Sequence, residues 1–345
     1  MFFHGDKFDR LTDFITLKTY NGRMSEQNIL VTGAGGFLGP WLCERLIKEK
    51  KRVFALDIAY HPNSRIHEIT GLAERIEADV NDYDQMLDIL RTRKIEVVIH
   101  LAAQSLVGVA LSHPYETLKT NILGTMNVLE AARYLKDFET PLKAIIVASS
   151  DKAYGDQGKV PYIEIAPMQG KYPYDVSKSC ADLISRSYFY TYKLPIIVTR
   201  IGNLYGGGDL NWSRLIPGTI FSCIKSENPI IRSNGILVRD YVYVENVADA
   251  LYILTEKMLE NNDLHGHAFN ISNDNPKSVL EVVRRIIDLM ARPELTPVVE
   301  NSASAEIGAQ YLSSNLFREK TGWSPRFDFE SGLKETIKWY ESKYK

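Results

Sequence analysis

Short apolar runs alternate with amphipathic stretches along the first two thirds of the chain. The run Asn28–Thr32 is apolar at most positions and ends at glycine, which is typical of a strand buried on both faces of a parallel sheet. The next stretch, 36–50, places Leu38, Leu42 and Leu46 on one stripe and predicts a helix. Repetition of this pattern predicts a doubly wound parallel α/β sheet with helices on both faces. The predicted strands cover 28–32, 51–57, 76–80, 96–102, 143–148 and 194–199, and the predicted helices cover 36–50, 83–93, 114–135 and 174–192.

The pattern changes after Arg200. Residues 202–211 contain four glycines and predict a loop. Shorter elements follow, and they predict a smaller C-terminal α/β lobe that packs against the first part and shares a cleft with it. We therefore divide the chain into an N-terminal extension (1–23) with no assigned role, a sheet domain (24–200) and a second lobe (201–345). Elements predicted in that lobe are helices near 213–225, 246–260, 278–290 and 330–342 and strands around Ile230 and Arg239.

A glycine-rich loop joins the first predicted strand to the first predicted helix. Gly33, Gly36 and Gly39 are spaced three apart, which permits a sharp turn, close approach of a pyrophosphate and tight packing of helix on strand. The helix N-terminus adds free N–H groups that attract phosphate. The spacing is GxxGxxG rather than the usual GxGxxG, so a tight turn without a ligand stays open from the glycines alone.

An acidic residue strengthens the dinucleotide interpretation. Asp57 ends the second predicted strand, 24 residues after Gly33, where a carboxylate can bind the ribose hydroxyls of an adenosine. An acid there disfavours a 2′-phosphate and therefore favours NAD over NADP. Asp79 and Val80 lie at the end of the third predicted strand and could contact the adenine, although Asp79 could equally be a solvated acid. Together these features predict a Rossmann-type NAD-binding domain.

Tyr174 and Lys178 lie four residues apart on a predicted helix and so share one face. A free tyrosine is a weak base at neutral pH. A nearby ammonium and a positively charged nicotinamide ring would both favour the tyrosinate form. Because the pair follows a dinucleotide-binding loop in the sequence, it indicates acid–base chemistry. Without that loop, the same spacing would indicate an ordinary pair on a helix surface.

With these motifs the chain resembles the extended short-chain dehydrogenase/reductases that act on nucleotide-diphosphate sugars, over about residues 26–343. The motifs are TGAGGFLG (32–39), DV (79–80), HLAAQ (100–104), TNILGT (120–125), SSDKAYG (149–155), YPYDVSK (172–178), RIGNLYGGGD (200–209), RDYVYVENVADA (239–250), FNISN (269–273) and GW (322–323).

The resemblance implies a role for each matching residue. Tyr174 is the expected catalytic tyrosine, Lys178 would hold the nicotinamide ribose, Ser150 would bind the sugar hydroxyl that is oxidised, and Asn121 would support the site. The implied cofactor contacts are Gly33, Gly36, Phe37, Leu38, Gly39, Asp57, Asp79, Val80, Leu101, Ala102, Ala103, Asn121, Tyr174 and Lys178.

Asp151 and Lys152 bear on which reaction the family member performs. The family's 4-epimerases usually have small residues after the catalytic serine or threonine. Its 4,6-dehydratases have an acid–base pair there, and the Asp-Lys form is similar to that of CDP-glucose 4,6-dehydratases and of inverting UDP-N-acetylglucosamine dehydratases. The pair lies at the carboxyl end of a predicted strand, where ligands bind in parallel α/β sheets.

The elimination of water explains why such a pair is needed. Oxidation at C4 of the sugar acidifies the proton on C5, which a base must remove while an acid protonates the departing C6 hydroxyl. We assign Asp151 as the acid and Lys152 as the base, which must lose its proton to act. A structural ion pair, a 4-epimerase or reductase, and a non-catalytic NAD-sensing protein are the alternatives, and the last would be expected to lack Tyr174 or Lys178.

Five further residues are expected to contact the substrate. Asn203 resembles the family's phosphate-contacting asparagine, and Arg214 lies in a segment similar to one of CDP-glucose dehydratases. Arg232 and Arg239 could bind a diphosphate bidentately, although Arg239 could instead pair with the following aspartate. Gln104 completes the set, and Gln310 and Tyr311 lie in a region that resembles the family's substrate loop. The segment after Arg239 departs from the CDP-glucose type, so the nucleotide stays open.

Composition adds few constraints. The 345 residues have a net charge of −2, which indicates neither a nucleic-acid footprint nor a membrane surface. Three scattered cysteines fit neither a disulfide framework nor a zinc site, so we expect reduced thiols, no metal and a cytoplasmic protein. His100 is expected to be a packed core residue. The family resemblance implies a homodimer through a four-helix bundle, with apolar positions Leu123, Val128, Tyr188 and Tyr192 expected to be exposed on the paired helices.

Overall fold

The computed structural model describes residues 27–158, 160–302 and 307–345. The N-terminal extension expected at 1–23 lies outside the described residues. The central feature of the described residues is a seven-stranded parallel sheet, and its strands lie in the order β3-β2-β1-β4-β5-β6-β10. The predicted doubly wound fold is therefore confirmed. These strands are β1 (Asn28–Thr32), β2 (Arg52–Asp57), β3 (Glu74–Glu77), β4 (Val97–His100), β5 (Ala144–Ser150), β6 (Ile196–Ile201) and β10 (Ala268–Ile271).

Helices cover both faces of this sheet and build most of the second lobe. Apolar side chains between sheet and helices form one core on each face, because the strands of a parallel sheet are buried on both sides. The helices are α1 (Leu38–Lys48), α2 (Tyr83–Thr92), α3 (Val107–Ser112), α4 (Pro114–Leu118), α5 (Gly124–Phe138), α6 (Pro173–Tyr192), α7 (Leu215–Ile224), α8 (Val244–Glu260), α9 (Val279–Leu289), α10 (Asn315–Thr321) and α11 (Phe329–Tyr344).

A second, smaller sheet lies in the C-terminal lobe. Its central strand β9 pairs parallel with β7 and β13 and antiparallel with β11, and a separate two-stranded pair joins β8 to β12. The lobe also contributes β10 to the main sheet, beside β6. The predicted domain boundary at residue 200 stays a prediction. The main sheet itself extends beyond that boundary, because β10 is its seventh strand. The strands are β7 (Asn203–Tyr205), β8 (Ile230–Ile231), β9 (Val238–Tyr243), β11 (Pro276–Ser278), β12 (Val298–Val299) and β13 (Ala309–Gln310).

The helix predicted at 114–135 contains a π-helical turn, Lys119–Leu123, between α4 and α5. Such turns insert an extra residue and are frequent at functional sites. Here the turn buries the Asn121 side chain, which bonds to the segment after β4 and to α6. Sequence periodicity does not detect one inserted residue within a long helix.

Two predictions about single residues have opposite outcomes. His100 is a core residue, as expected: its ring bonds to the hydroxyls of Thr32 and Thr125, and burial together with the charge of Lys178 lowers its pKa to about 3. The expectation that Val128 is exposed is wrong, because its side chain is fully buried in the core under α5.

A buried ion pair joins the sheet to α6. Arg200 on β6 donates two hydrogen bonds to Asp182, at 2.7 and 3.1 Å, and both side chains are almost fully buried. Arg200 also donates to the Tyr154 hydroxyl at 2.7 Å and to the Glu164 carbonyl at 2.8 Å. Tyr154 ends a short 3₁₀ turn, Asp151–Tyr154, so the ion pair supports the turn that follows β5.

Candidate active site

A cavity of about 960 Å³ lies across the carboxyl ends of the main strands and faces the C-terminal lobe. The strand order reverses between β1 and β4, which is where ligands bind in open α/β sheets. Most of the predicted site residues lie on its wall. These are Gly33, Gly36, Phe37, Leu38, Gly39, Asp57, Asp79, Val80, Leu101, Ala102, Ala103, Gln104, Ser150, Asp151, Lys152, Tyr174, Lys178, Asn203 and Arg214.

The glycine loop leaves no room for side chains at two positions. Gly33 has φ of +70°, and a Cβ atom there would lie 2.7 Å from the backbone nitrogen of Ala102. A Cβ at Gly39 would lie 2.5 Å from the Cα of Ala34. The loop therefore packs directly on its neighbours. Helix α1 follows without a side-chain cap, so its first N–H groups are available to a phosphate at the cavity wall.

Asp57 lies at the end of β2 beside this loop. Its Oδ2 accepts a hydrogen bond of 2.8 Å from the N–H of Gly35, and its Oδ1 accepts one of 2.8 Å from Ile58. Burial raises its pKa above the ordinary value, while these bonds act in the opposite direction. The carboxylate is thereby fixed at the place where the ribose of a dinucleotide bound by the loop would lie.

Ser150, Asp151 and Lys152 form a connected group at the end of β5. The Ser150 hydroxyl donates to Asp151 Oδ1 at 2.9 Å, and Lys152 Nζ lies 3.1 Å from Asp151 Oδ2. The Asp151 side chain is almost completely buried, whereas that of Lys152 is about a quarter exposed. A possible proton donor and a possible proton acceptor thus lie side by side at the cavity wall.

Gln310 on β13 closes this group from the C-terminal lobe. Its Oε1 accepts a hydrogen bond from Lys152 Nζ, and its Nε2 donates to the backbone carbonyl of Asp151 at 3.1 Å. The sequence places Gln310 only in a general substrate-loop region. Its contact with Lys152 spans more than 150 positions, and no local pattern signals such a pairing.

Tyr174 and Lys178 lie on one face of α6, as predicted, and both are buried. Burial raises the pKa of Tyr174 to about 12, while a hydrogen bond with Ser150 lowers it. Burial also lowers the pKa of Lys178 to about 8, and its Nζ donates to the carbonyl of Ala148 at 2.9 Å. The expected stabilisation of tyrosinate by Lys178 is therefore not what sets the pKa of Tyr174 here, because desolvation dominates.

Replacing Lys178 with Met is expected to stabilise the protein by about 1 to 3 kcal/mol at neutral pH, because a desolvated ammonium is removed. Wild-type Lys178 loses its proton near pH 8 when folded but only near pH 10.5 when unfolded. Between these values the unfolded chain binds more protons, so wild-type stability rises with pH and the advantage of the variant shrinks. Urea unfolding at neutral and alkaline pH measures both effects. The exposed Lys171→Met is the control, and a variant advantage that grows with pH would contradict the prediction.

Asn121 lies behind the cavity wall and holds it in place. Its Oδ1 accepts from the N–H of Gln104 at 2.8 Å, and its Nδ2 donates to the carbonyl of Gln104 at 3.0 Å and to the Ser177 hydroxyl at 2.8 Å. The side chain therefore links the segment after β4 to α6. Its implied contact with a cofactor stays a prediction.

The predicted substrate residues are not all brought together. Asn203 and Arg214 lie at the cavity wall, and Arg214 is paired with Asp209 at 3.0 Å. Arg232 is exposed, and neither it nor Arg239 belongs to the wall. Arg239 Nη1 donates to the carbonyl of Val238. The structure therefore leaves the predicted diphosphate contacts of Arg232 and Arg239 untested.

Within the described residues, no group of three or more His, Cys, Asp or Glu side chains is arranged to hold a metal ion. In the same part of the chain, no helix combines the length and apolar character that crossing a bilayer requires.

Comparison with known proteins gives a consistent set of relatives. The family model described as GDP-mannose 4,6 dehydratase matches residues 30–336. The chain is 31% identical to the dTDP-glucose 4,6-dehydratase of Neisseria gonorrhoeae, covering 91% of this chain and 96% of that protein. It is also 31% identical to dTDP-glucose 4,6-dehydratase 1 of Escherichia coli K12, covering 92% and 93%.

Solved structures of two kinds of enzyme are similar to the fold. One is the dTDP-glucose 4,6-dehydratase of Bacillus anthracis in complex with NAD, with a TM-score of 0.79, 26% identity, and coverage of 92% of this chain and 97% of that chain. The other is the UDP-glucose 4-epimerase of Thermotoga maritima with UDP-glucose, with a TM-score of 0.83, 26% identity, and coverage of 92% and 100%.

Proposed function

We propose that this chain, which belongs to the GDP-mannose 4,6 dehydratase family, is an NAD-dependent 4,6-dehydratase that acts on a nucleotide-diphosphate hexose. The enzyme is a lyase of the extended short-chain dehydrogenase/reductase type, and its product is a 4-keto-6-deoxyhexose. The observation that supports this most directly is the Asp151–Lys152 pair beside Ser150 at the cavity wall. The similarity to dTDP-glucose 4,6-dehydratases over most of the chain agrees with it.

The cofactor is NAD, and the residues of the cavity fit it. The glycine loop would hold the pyrophosphate, because Gly33, Gly36 and Gly39 lie on the cavity wall and the uncapped N-terminus of α1 follows them. Asp57 would bind the adenosine ribose, and Lys178 the nicotinamide ribose. When bound, NAD⁺ would supply the acceptor for the hydride from C4 and the donor that returns it to C6, and its positive charge would favour the tyrosinate form of Tyr174.

Tyr174 and Ser150 act on the C4 hydroxyl in this proposal. The hydrogen bond between them lowers the pKa of Tyr174 against the effect of burial. Tyr174 takes the hydroxyl proton as C4 becomes a ketone, and Ser150 orients the sugar oxygen. Lys178 fixes the geometry from one helical turn away, since its ammonium is anchored to the carbonyl of Ala148.

Asp151 and Lys152 then remove the elements of water. The step starts with Lys152 as the neutral amine and Asp151 as the protonated acid, so one proton of the pair has moved from the lysine to the carboxylate. Lys152 takes the C5 proton, and the electrons of the C5–H bond form the C5–C6 double bond as the C6–O bond breaks. Asp151 gives a proton to the departing hydroxyl, which leaves as water. The 3.1 Å separation of the two side chains allows both to reach adjacent carbons of one sugar. Gln104, Asn203 and Arg214 lie along the wall where the sugar and its diphosphate would extend.

A 4-epimerase is the second candidate, because the UDP-glucose 4-epimerase of Thermotoga maritima shares the fold at a TM-score of 0.83. That reaction would use Ser150, Tyr174 and Lys178 in the same way. It requires no proton transfer at C5 or C6, so it leaves the Asp151–Lys152 pair without a task.

Mass spectrometry separates these functions. The purified protein with NAD is incubated separately with dTDP-glucose, UDP-glucose, CDP-glucose and GDP-mannose. We expect at least one of them to lose the mass of one water. Conversion of these sugars only to products of unchanged mass would favour the epimerase, and NAD binding without turnover of any of them would favour an NAD-sensing protein.

We further propose a homodimer formed through α5 and α6. These helices pack on one another, and exposed apolar side chains lie on both. Leu123 and Tyr192 are exposed as expected, and Tyr188 is partly buried. Leu183 on α6 is about half exposed, so Leu183→Glu would place a charge on the proposed interface. We expect the wild type to have the molar mass of a dimer in solution and Leu183→Glu that of a monomer.

We also propose that the protein is cytoplasmic. Cys43, Cys180 and Cys223 are free thiols, and two of them are buried. Burial raises the pKa of Cys43 to about 12 and that of Cys223 to about 11, so both are unreactive at neutral pH. This arrangement fits a reducing compartment, and the location of a tagged full-length protein in fractionated cells tests it.

A further inference from the structure

The side chain of Gln310 reaches the proposed acid–base pair from the opposite lobe. It is almost completely buried, and its amide contacts both residues of the pair. Oε1 accepts from Lys152 Nζ, and Nε2 donates to the carbonyl of Asp151 at 3.1 Å. The orientation of the amide is determined by these neighbours, because the reverse orientation would set an NH₂ group against an ammonium and a carbonyl against a carbonyl.

Lys152 Nζ therefore has two acceptors in fixed places. One is Asp151 Oδ2 at 3.1 Å, and the other is Gln310 Oε1. A neutral amine has two N–H bonds, one lone pair and one bond to carbon in a tetrahedral arrangement. When both N–H bonds are held by these oxygens, the acid proton of Asp151 lies on its other oxygen, Oδ1, and the direction of the lone pair is fixed as well.

We propose that Gln310 is a positioning residue that aims the lone pair of Lys152 at the C5 proton of the sugar. This inference rests on the proposed dehydratase function and deepens it. Gln310 itself transfers no proton: Lys152 Nζ gains the proton, the C5–H electrons form the C5–C6 double bond, and the C6 hydroxyl leaves as water with a proton from Asp151.

An amide suits this task better than a carboxylate. A neutral carbonyl oxygen accepts a hydrogen bond from either the ammonium or the amine form of Lys152, so it holds the nitrogen in place without trapping its proton. A second carboxylate would stabilise the ammonium. Two charged groups, Asp151 and Asp175 on α6, already interact favourably with Lys152, so a neutral third partner limits that stabilisation.

Gln310 is held by the backbone on both sides. Its own strand β13 pairs with β9 at Arg239, and the next residues run beside the loop at Tyr162 through a bridge to Leu312. Leu312 is buried against Tyr154 and Tyr162. We name residues 309–314 the strap, and it connects the second sheet of the C-terminal lobe to the turn that holds the acid–base pair.

Gln310→Leu and Gln310→Glu test the proposal. The substrate for single-turnover reactions is the nucleotide sugar that the wild type dehydrates among dTDP-glucose, UDP-glucose, CDP-glucose and GDP-mannose. Reduced-nicotinamide absorbance follows C4 oxidation, and mass spectrometry follows loss of water. In Gln310→Leu we expect elimination to slow by roughly 10- to 100-fold while oxidation changes less than about threefold, so reduced cofactor accumulates. In Gln310→Glu we expect the rising limb of the pH profile of elimination to move to higher pH, because the new carboxylate holds the proton on Lys152.

Leu312→Ala is the matched control on the same strap. It opens a cavity beside Tyr154 and should lower the melting temperature without changing the ratio of elimination to oxidation. Equal slowing of both steps in Gln310→Leu, or an unmoved pH profile in Gln310→Glu, would overturn the positioning role alone. A wild-type product of unchanged mass would refute the dehydratase function and this role with it.

Discussion

Replacing Lys152 with Met is expected to stop the loss of water and leave oxidation at C4 in place. The side chain keeps its length but loses the nitrogen that takes the C5 proton, and a positioned base contributes roughly 10²- to 10⁴-fold to such a step. The variant should therefore convert bound cofactor to its reduced form and then stall. Absorbance of the reduced nicotinamide and the mass of the recovered sugar, measured on the same sample, report the two steps separately.

Lys171→Met provides the control for this substitution, because Lys171 is an exposed lysine that precedes α6 and does not belong to the cavity wall. It should dehydrate the sugar at the wild-type rate. Unimpaired loss of water in Lys152→Met would refute the base assignment. A loss of oxidation as large as the loss of elimination would indicate that Lys152 serves binding instead of proton transfer.

Replacing Arg200 with Met is expected to destabilise the protein by about 3 to 5 kcal/mol, because the carboxylate of Asp182 would stay buried without its partner. The hydroxyl of Tyr154 and the carbonyl of Glu164 would lose a donor as well. Chemical denaturation gives the free energy of unfolding. Activity should fall further than the folded fraction does, because Tyr154 ends the turn on which Asp151 and Lys152 lie.

The double variant Arg200→Met, Asp182→Leu separates the cost of leaving the Asp182 carboxylate unpaired from the cost of losing the other hydrogen bonds of Arg200. With both charges removed, most of the stability should return, since apolar residues of similar volume often replace a buried ion pair at little cost. Equal destabilisation in the single and double variants would contradict this explanation. It would show that the bonds of Arg200 to Tyr154 and Glu164 are the major contribution.

The sequence predicted the main sheet well because its strands are continuous apolar runs bounded by glycines and polar residues. β1 and the strands from β4 to β6 begin or end within two residues of their predicted limits. The sequence pattern does not predict β10, although all four of its residues are buried, because the strand is short and follows the irregular segments of the C-terminal lobe. Which strand lies beside β6 depends on long-range pairing, and local patterns do not encode it.

Much of the site could be predicted because its residues, like the strands of the main sheet, belong to short local patterns. The glycine loop, Asp57 and the Tyr174–Lys178 pair are local motifs whose spacing has a direct physical meaning. Gln310, by contrast, reaches Lys152 across the cleft, and the pairing exists only after both lobes have folded. The dominant effect of burial on Tyr174 was also hidden, since desolvation depends on what packs around a side chain rather than on its neighbours in the sequence.

The strand β10 limits how this chain can be shortened. A fragment that ends near residue 200 would contain the glycine loop and Tyr174 but would expose the edge of β6 that pairs with β10 from Val198 onward. An exposed and apolar sheet edge of this kind is a template for aggregation. The cofactor half is therefore not a separable module, and chimeras that exchange the C-terminal half need to bring their own seventh strand and a strap that fits Lys152.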